Sequence, residues 1–476
     1  MEQGRNRKLF KDIIIYGVGN LGSKLITFLI FPVYTFFIAP DDLGYYDTVL
    51  ATVFLLMPFV DLQLREGVFR FLIDEKDENN RRTIINKSYR MMITTTVITS
   101  MLFVLITFFV DLRCGFHILG LLLTLAFYEV QIQIVRGLGH TKLFVACGIL
   151  SSLFICLFGI LFVVVLKWGI EGIFLSNILA RLSALYFIEL KQPVMRKYFS
   201  FKITDKALAG ELSRYCYPLI MVISFLWIIG NSYRYFISYH LGLYANGIIA
   251  VAFKFAAIIE ILSVILYQAW QETTVLQFNA KDRDKYYSSV LNTFVLILTS
   301  LVITSSFILK TLYPKLIDAE YESSIIYLYA LFVAEIGYAL QMFMSAILHA
   351  QKNTRQMFYI TLVSSAASLV FYYFFTRYLG LTGVAIAFGL SFSFMFVCYL
   401  ISVQKTMTIK LSARTFILSA LLLAGGGFIF YHTENVWWRI LYWTASILAI
   451  YRILPRSIVR ETKNRIAGKF SNLIGK

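Results

Sequence analysis

Cysteine is scarce in this chain, and water-soluble stretches are scarcer. The five cysteines, Cys114, Cys147, Cys156, Cys216 and Cys398, are an odd set with no CxxC pair and no metal-ligand spacing. That excludes a zinc module and a disulfide framework and leaves them as small apolar fillers, with no metal expected. Acidic residues number 27 against 44 basic ones, giving a net charge of +17. No basic-aromatic module accompanies that charge, which excludes a nucleic-acid partner. The first apolar run, 13–38, is too long for the h-region of a leader and lacks a small-residue cleavage site, so it reads as a retained span.

What the chain does have is 59 % hydrophobic and 17 % aromatic residues, more than a soluble core uses. It reads as an all-α integral membrane protein. Stretches near the roughly 20 residues that a bilayer crossing needs fall at 13–38, 45–64, 91–110, 117–135, 143–166, 169–190 and 217–239. Seven more follow at 242–270, 290–309, 325–349, 357–376, 382–403, 416–430 and 436–453, which makes about fourteen transmembrane helices.

Alternate connections between these spans, counted with Arg452 at the inner edge of the last span, hold 34 of the 44 basic residues, whereas the opposite set holds only Arg113, Lys167, Lys310, Lys315, Arg377 and, at that span's outer edge, Arg439. By the positive-inside rule both termini face the cytoplasm, and the net charge is a matter of topology. Outer connections are all short, the longest being about 310–324, so no external domain is available to fold a catalytic site. The segment 455–476 places Ile466, Phe470 and Leu473 at helical spacing among Arg460, Lys463, Arg465 and Lys469. This pattern predicts a cationic amphipathic tail on the anionic inner leaflet.

An internal repeat divides the rest. Thr141-Lys142-Leu143-Phe144 answers to Thr354-Arg355-Gln356-Met357, and Gly169-Ile170-Glu171-Gly172-Ile173 answers to Gly380-Leu381-Thr382-Gly383-Val384. Gly44 answers to Gly247, so the offset stays near 203 to 213. Six spans per copy is an even number, so the copies run parallel. The expected plan is an N-terminal lobe at 1–195, a C-terminal lobe at 196–405, two added helices at 406–454 and the tail at 455–476, with a central cationic cavity between the six-helix lobes.

An ionisable group at mid-bilayer costs about 2.5–3.5 kcal/mol on insertion scales unless it faces water or a partner. The residues that hydrocarbon rejects are therefore the cavity candidates. Lys24, Arg181, Arg234 and Lys254, with Asn20 and Asn231, are the expected substrate-binding set. Arg234 lies one turn from a span end and reads either as cavity lining or as a snorkel to the headgroups, and Arg181 either as substrate ligand or as interhelical glue. Asp47, Asp61, Glu129, Gln133, Glu260 and Glu335 are the polar and coupling candidates, Glu129 and Gln133 sharing a helix face. Glu335 suits a proton or cation site or the partner of a lysine. Arg65, Arg70 and Arg136 crowd inner span ends and are the expected cytoplasmic gate. Most of the 30 tyrosines and 43 phenylalanines belong to aromatic belts at the two interfaces.

At this point the sequence resembles a family. Tyr16-Gly17-Val18-Gly19-Asn20-Leu21-Gly22-Ser23-Lys24 leading to Phe31-Pro32-Val33-Tyr34, the turn Leu43-Gly44-Tyr45-Tyr46-Asp47, and Glu66-Gly67-Val68-Phe69-Arg70-Phe71 are similar to bacterial polysaccharide-repeat flippases. So are Arg136-Gly137-Leu138-Gly139-His140-Thr141-Lys142 and Leu243-Tyr244-Ala245-Asn246-Gly247. These belong to the multidrug, oligosaccharidyl-lipid and polysaccharide exporter superfamily. The resemblance implies a non-enzymatic transporter of the bacterial cytoplasmic membrane that moves an undecaprenyl-pyrophosphate-linked oligosaccharide to the outer leaflet by alternating access. It implies O-antigen, capsule or related polysaccharide synthesis, no cofactor beyond coupling H⁺ or Na⁺, and membrane lipids and other polysaccharide-assembly proteins as partners. Lys24 is the one basic residue well inside the first span, unlike the arginine-rich first span of the related lipid II flippases. The rival readings are a multidrug cation antiporter, which wants an acidic cavity, and a membrane polymerase or ligase, which wants a large outer loop.

Overall fold

The computed structural model describes residues 22–453 apart from 25, 74, 201–205 and 352. Asn20 and the tail at 455–476 lie outside these. Every regular element among the described residues is helical. In chain order they are α1 (Gly22–Thr35), α2 (Pro40–Val60), α3 (Leu64–Leu72), α4 (Glu78–Thr107), α5 (Gly115–Gly137), α6 (Thr141–Gly159), α7 (Gly169–Lys191), α8 (Val194–Tyr198), α9 (Lys206–Asn231) and α10 (Tyr233–His240). Then come α11 (Gly242–Leu276), α12 (Arg283–Leu316), α13 (Ile325–Ala350), α14 (Thr354–Gln404), α15 (Ala413–His432) and α16 (Val436–Ile453). Eleven of the described helices are long and apolar enough to cross a membrane, α6 being counted with the π-helical turn Ile160–Val165 that extends it. The protein is a multi-pass membrane protein.

Several boundaries differ from the sequence expectation, each for a local reason. The span expected at 45–64 stops at Val60, because Leu62 and Gln63 take left-handed φ of 50° and 56° and break the helix before α3 begins. The span expected at 217–239 is split at Ser232, so Arg234 sits at the start of the short α10. Conversely, α14 runs 51 residues, about 77 Å if straight and over twice a bilayer core. It is not straight. Gly380 breaks it with φ 59° and ψ −141°, and the limbs fold back, since the Thr361 and Tyr399 hydroxyls lie 3.4 Å apart and the Phe371 and Phe394 rings 6.3 Å apart. Here the two spans expected at 357–376 and 382–403 appear as one hairpin. Helices α1 and α16 fall short of the crossing measure, so the expected fourteen are not all met among the described residues.

The chain divides into two compact units, residues 1–251 and 252–476. In the first, α5 packs on α3, α6 and α7. Helix α2 begins with Pro40 and carries Asp41 and Asp42 in its first turn, where the helix dipole favours negative charge. It crosses the start of α11 at very short range: a Cβ on Gly44 would lie 1.9 Å from the Leu243 carbonyl oxygen, and a Cβ on Gly247 would lie 1.9 Å from that of Pro40. The contact is reciprocal and tolerates only glycine. Gly169, after the π-helical turn, has φ 59° and lets α7 turn back so that Gly172 packs on the Phe162 backbone. Gly380, its counterpart in the internal repeat, has the same φ, and Gly383 packs on the Phe375 carbonyl.

In the second unit α13 is the centre, packed against α14 and flanked by α12 and α15. Trp270 stacks on Phe343 at 4.3 Å and donates its indole N–H to the Phe343 carbonyl at 3.0 Å. The connection after α14 is held by polar side chains spaced four apart on α12. Asp284 accepts from the Thr408 amide (2.7 Å), Ser288 from that of Lys410 (3.0 Å) and Asn292 from that of Ser412 (2.9 Å). Four helical residues rise about 6 Å and two extended residues span about 6.6 Å, so a helix face matches alternate amides of an extended strand.

Replacing Gly247 by Val forces a β-branched side chain into the Pro40 backbone, and overpacking of this kind costs about 1–3 kcal/mol. The expected result is a lowered melting temperature for detergent-purified protein, while Gly210→Ala, where nothing lies within 4 Å, leaves it unchanged or slightly raised.

Candidate functional site

The first unit assembles most of the candidate ionisable groups along α2, α3, α5, α7 and α10. Near the start of α2, Asp47 receives Arg234, whose Nε lies 2.5 Å from one carboxylate oxygen and whose second terminal nitrogen lies 3.3 Å from the other. The fork is bidentate, and Asn231 accepts a further bond from Arg234 at 2.9 Å. Both charges are largely withdrawn from solvent, at 13 % and 6 % side-chain exposure. Around them Thr48 meets Ser238 at 3.2 Å, Thr52 meets Tyr235 at 2.8 Å, and Asn246 donates to the Gly44 carbonyl (2.8 Å) and the Thr48 hydroxyl (2.9 Å). This polar cluster exists because the glycine crossing brings the backbones together. Arg234 is therefore a neutralised residue of the α2 to α10 junction.

Deeper along α7, Arg181 donates to the carbonyl (2.9 Å) and side-chain oxygen (3.0 Å) of Asn177, one turn earlier. Asn177 in turn donates to the hydroxyl of buried Tyr46 at 3.3 Å. Arg181 makes no ion pair among the described residues, although the charge of Glu129 on α5 acts on it. Glu129 in its turn lies within electrostatic reach of Arg65 and Arg181. At the α2 to α3 break, fully buried Asp61 accepts from the Gln63 amide at 2.8 Å and faces Arg65 at 3.5 Å. The structure thus places Glu129 within electrostatic reach of both Arg65 and Arg181.

The other candidates are placed separately. Lys24 is exposed on α1, whose Ser23 packs near Gly148 of α6. Arg136 lies over the Phe69 ring at 4.1 Å and makes a long contact to Gln133 at 3.5 Å, and Arg70 is exposed on α3. In the second unit Lys254 and Glu260 are half-buried on α11, and Glu335 is buried on α13 with one carboxylate oxygen lacking a hydrogen-bond partner. Glu260 and Glu335 lie within electrostatic reach of each other and of Tyr338. No group of three or more His, Cys, Asp or Glu suited to a metal is present among the described residues.

Sequence reasoning did not single out Tyr46, Thr48, Asn246, Ser238 or Glu189. Glu189 is the half-buried anchor of Gln131, which donates to it at 2.7 Å while Glu189 also accepts from the Met195 amide at 2.8 Å. Gln131 therefore joins α5 to α7. Asn246 had one signal, its place immediately before Gly247.

A family model described as polysaccharide biosynthesis protein matches residues 9–271. The chain belongs to this family. No curated protein matches it by sequence. Among solved structures, the lipid II flippase MurJ in an inward closed conformation is 16 % identical with a TM-score of 0.62, covering 94 % of this chain and 100 % of that one. An inward-facing multidrug resistance MATE transporter of the MOP superfamily is 14 % identical with a TM-score of 0.62, covering 88 % and 96 %. A MOP superfamily transporter from Pyrococcus furiosus, reported with a binding pocket of reverse polarity, is 13 % identical with a TM-score of 0.58, covering 87 % and 96 %. At such identities the likeness is one of fold. This member of the polysaccharide biosynthesis family has the flippase and exporter fold of that superfamily.

Removing one partner of a buried ion pair leaves an uncompensated charge, at a cost of about 3–5 kcal/mol. Asp47→Asn and Arg234→Gln are each expected to lower thermal stability markedly, and the double variant by less than the two together. Additive losses in this double-mutant cycle are the result that counts against the pair.

Proposed function

We propose that the protein flips undecaprenyl-pyrophosphate-linked oligosaccharide repeat units from the inner to the outer leaflet of the bacterial cytoplasmic membrane, with both termini cytoplasmic, by alternating access. The observation that carries this reading is Arg181, a half-buried guanidinium held by Asn177 with no carboxylate in ion-pair contact. A planar fork of donors suits a phosphate better than a monovalent organic cation. Arriving pyrophosphate competes with Glu129 for Arg181, and in a low-dielectric interior that exchange is sensitive to one charge. Lys24, exposed on α1, supplies a second cation of point-charge type. A membrane potential positive outside favours export of net negative charge by about 2.3 kcal/mol per charge per 100 mV. We assign coupling to H⁺ or Na⁺ at Glu335 with Glu260, because the orphan carboxylate oxygen of Glu335 is buried and has no donor.

The multidrug antiporter is the second reading, and the same acidic pair favours it. The deciding measurement is leaflet exchange in proteoliposomes of a labelled polyprenyl-pyrophosphate oligosaccharide. Wild type is expected to move it, and Arg181→Gln to slow it about 10- to 100-fold, the loss of a hydrogen bond to a charged group. An inactive wild type that takes up a hydrophobic cation moves the protein to the multidrug reading. Glu335→Gln is expected to leave substrate binding intact and to abolish the response of transport to an imposed H⁺ or Na⁺ gradient.

A further inference from the structure

A second cationic site, which Arg181 does not line, lies where α3, α5 and α7 end and α6 begins. A cavity of about 940 Å³ opens there, within the first unit. Its ionisable lining residues are all basic, Arg136, His140, Lys142 and Lys191, with no carboxylate among the lining residues. Apolar side chains share the lining, among them Phe69, Leu143 and Phe187, and the Lys191 ammonium lies 5.9 Å from the Phe187 ring centroid. Lys142 and Lys191 are exposed and make no ion pair among the described residues. Arg136 is fixed, its guanidinium between the Phe69 and Phe144 rings at 4.1 and 5.3 Å from their centroids.

The turn that builds the rim is specific. Gly139 takes φ 85°, its amide donates to the Arg136 carbonyl at 3.0 Å, and the next amide, that of His140, donates to the Val135 carbonyl at 3.1 Å, which closes the end of α5 with a glycine in the left-handed region. Helix α6 starts immediately after, without a side-chain cap, so the positive end of its dipole adds to the four basic residues. A basic pocket between membrane helices, whose lining mixes cations with aromatic and aliphatic carbon, matches an anionic headgroup joined to a hydrocarbon chain.

We propose that this cavity binds the phosphate of a membrane lipid, at a site distinct from the translocation site. Two lipids bear that chemistry, a glycerophospholipid such as phosphatidylglycerol and a polyprenyl phosphate. Native mass spectrometry of the full-length protein, titrated with phosphatidylglycerol, undecaprenyl phosphate or zwitterionic phosphatidylcholine, reads binding without transport and so stands or falls apart from the flippase reading. At least one anionic lipid is expected to be retained over phosphatidylcholine, and K142A/K191A is expected to weaken it about thirty-fold. K142R/K191R, which keeps both charges, is expected to retain binding, and Lys405→Ala, elsewhere on the surface, to leave it unchanged. Preference for phosphatidylglycerol identifies a bulk lipid, and preference for undecaprenyl phosphate a carrier lipid; both support the site. Equal retention of all three lipids, or undiminished anionic binding in K142A/K191A, overturns it.

Discussion

The first unit depends on two missing side chains. At Gly44 and Gly247 two helices approach until each backbone carbonyl occupies the place of the other helix's Cβ. Such proximity forgoes side-chain packing and gains close van der Waals contact along the backbone, the preferred currency of association where lipid offers no hydrophobic drive. Everything polar at the junction follows from it. Asn246 reaches the Gly44 carbonyl, and Thr48 and Ser238 meet, because the helix axes are close enough for short side chains to span the gap.

Charge in the interior is sorted by the company it keeps. Arg234 is quenched by a bidentate carboxylate, Arg136 is clasped by aromatic rings, and Arg181 is oriented by an amide that carries no charge. Three arginines that look alike in sequence thus differ in how much positive potential they present. Arg181 is held by a neutral partner on its own helix, one turn away.

Much of the fold was legible in the residues. Apolar length located the helices, and the repeat paired Gly169 with Gly380 before their identical φ of 59° was known. The repeat was readable because a left-handed turn and a close helix approach both demand glycine, and glycine has no substitute there. Charge pairing was far less readable. Asp47 and Arg234 are 187 residues apart, and hydropathy registers each as an isolated cost without saying that one offsets the other. The break at Leu62 and Gln63 was also invisible, since neither residue type signals a left-handed conformation.

The glycine at position 380 joins two long antiparallel limbs without an intervening loop, and α14 packs on α13. A joint of one residue leaves no slack for one limb to slide past the other. The two limbs therefore pack as one hairpin, their register fixed by a single residue.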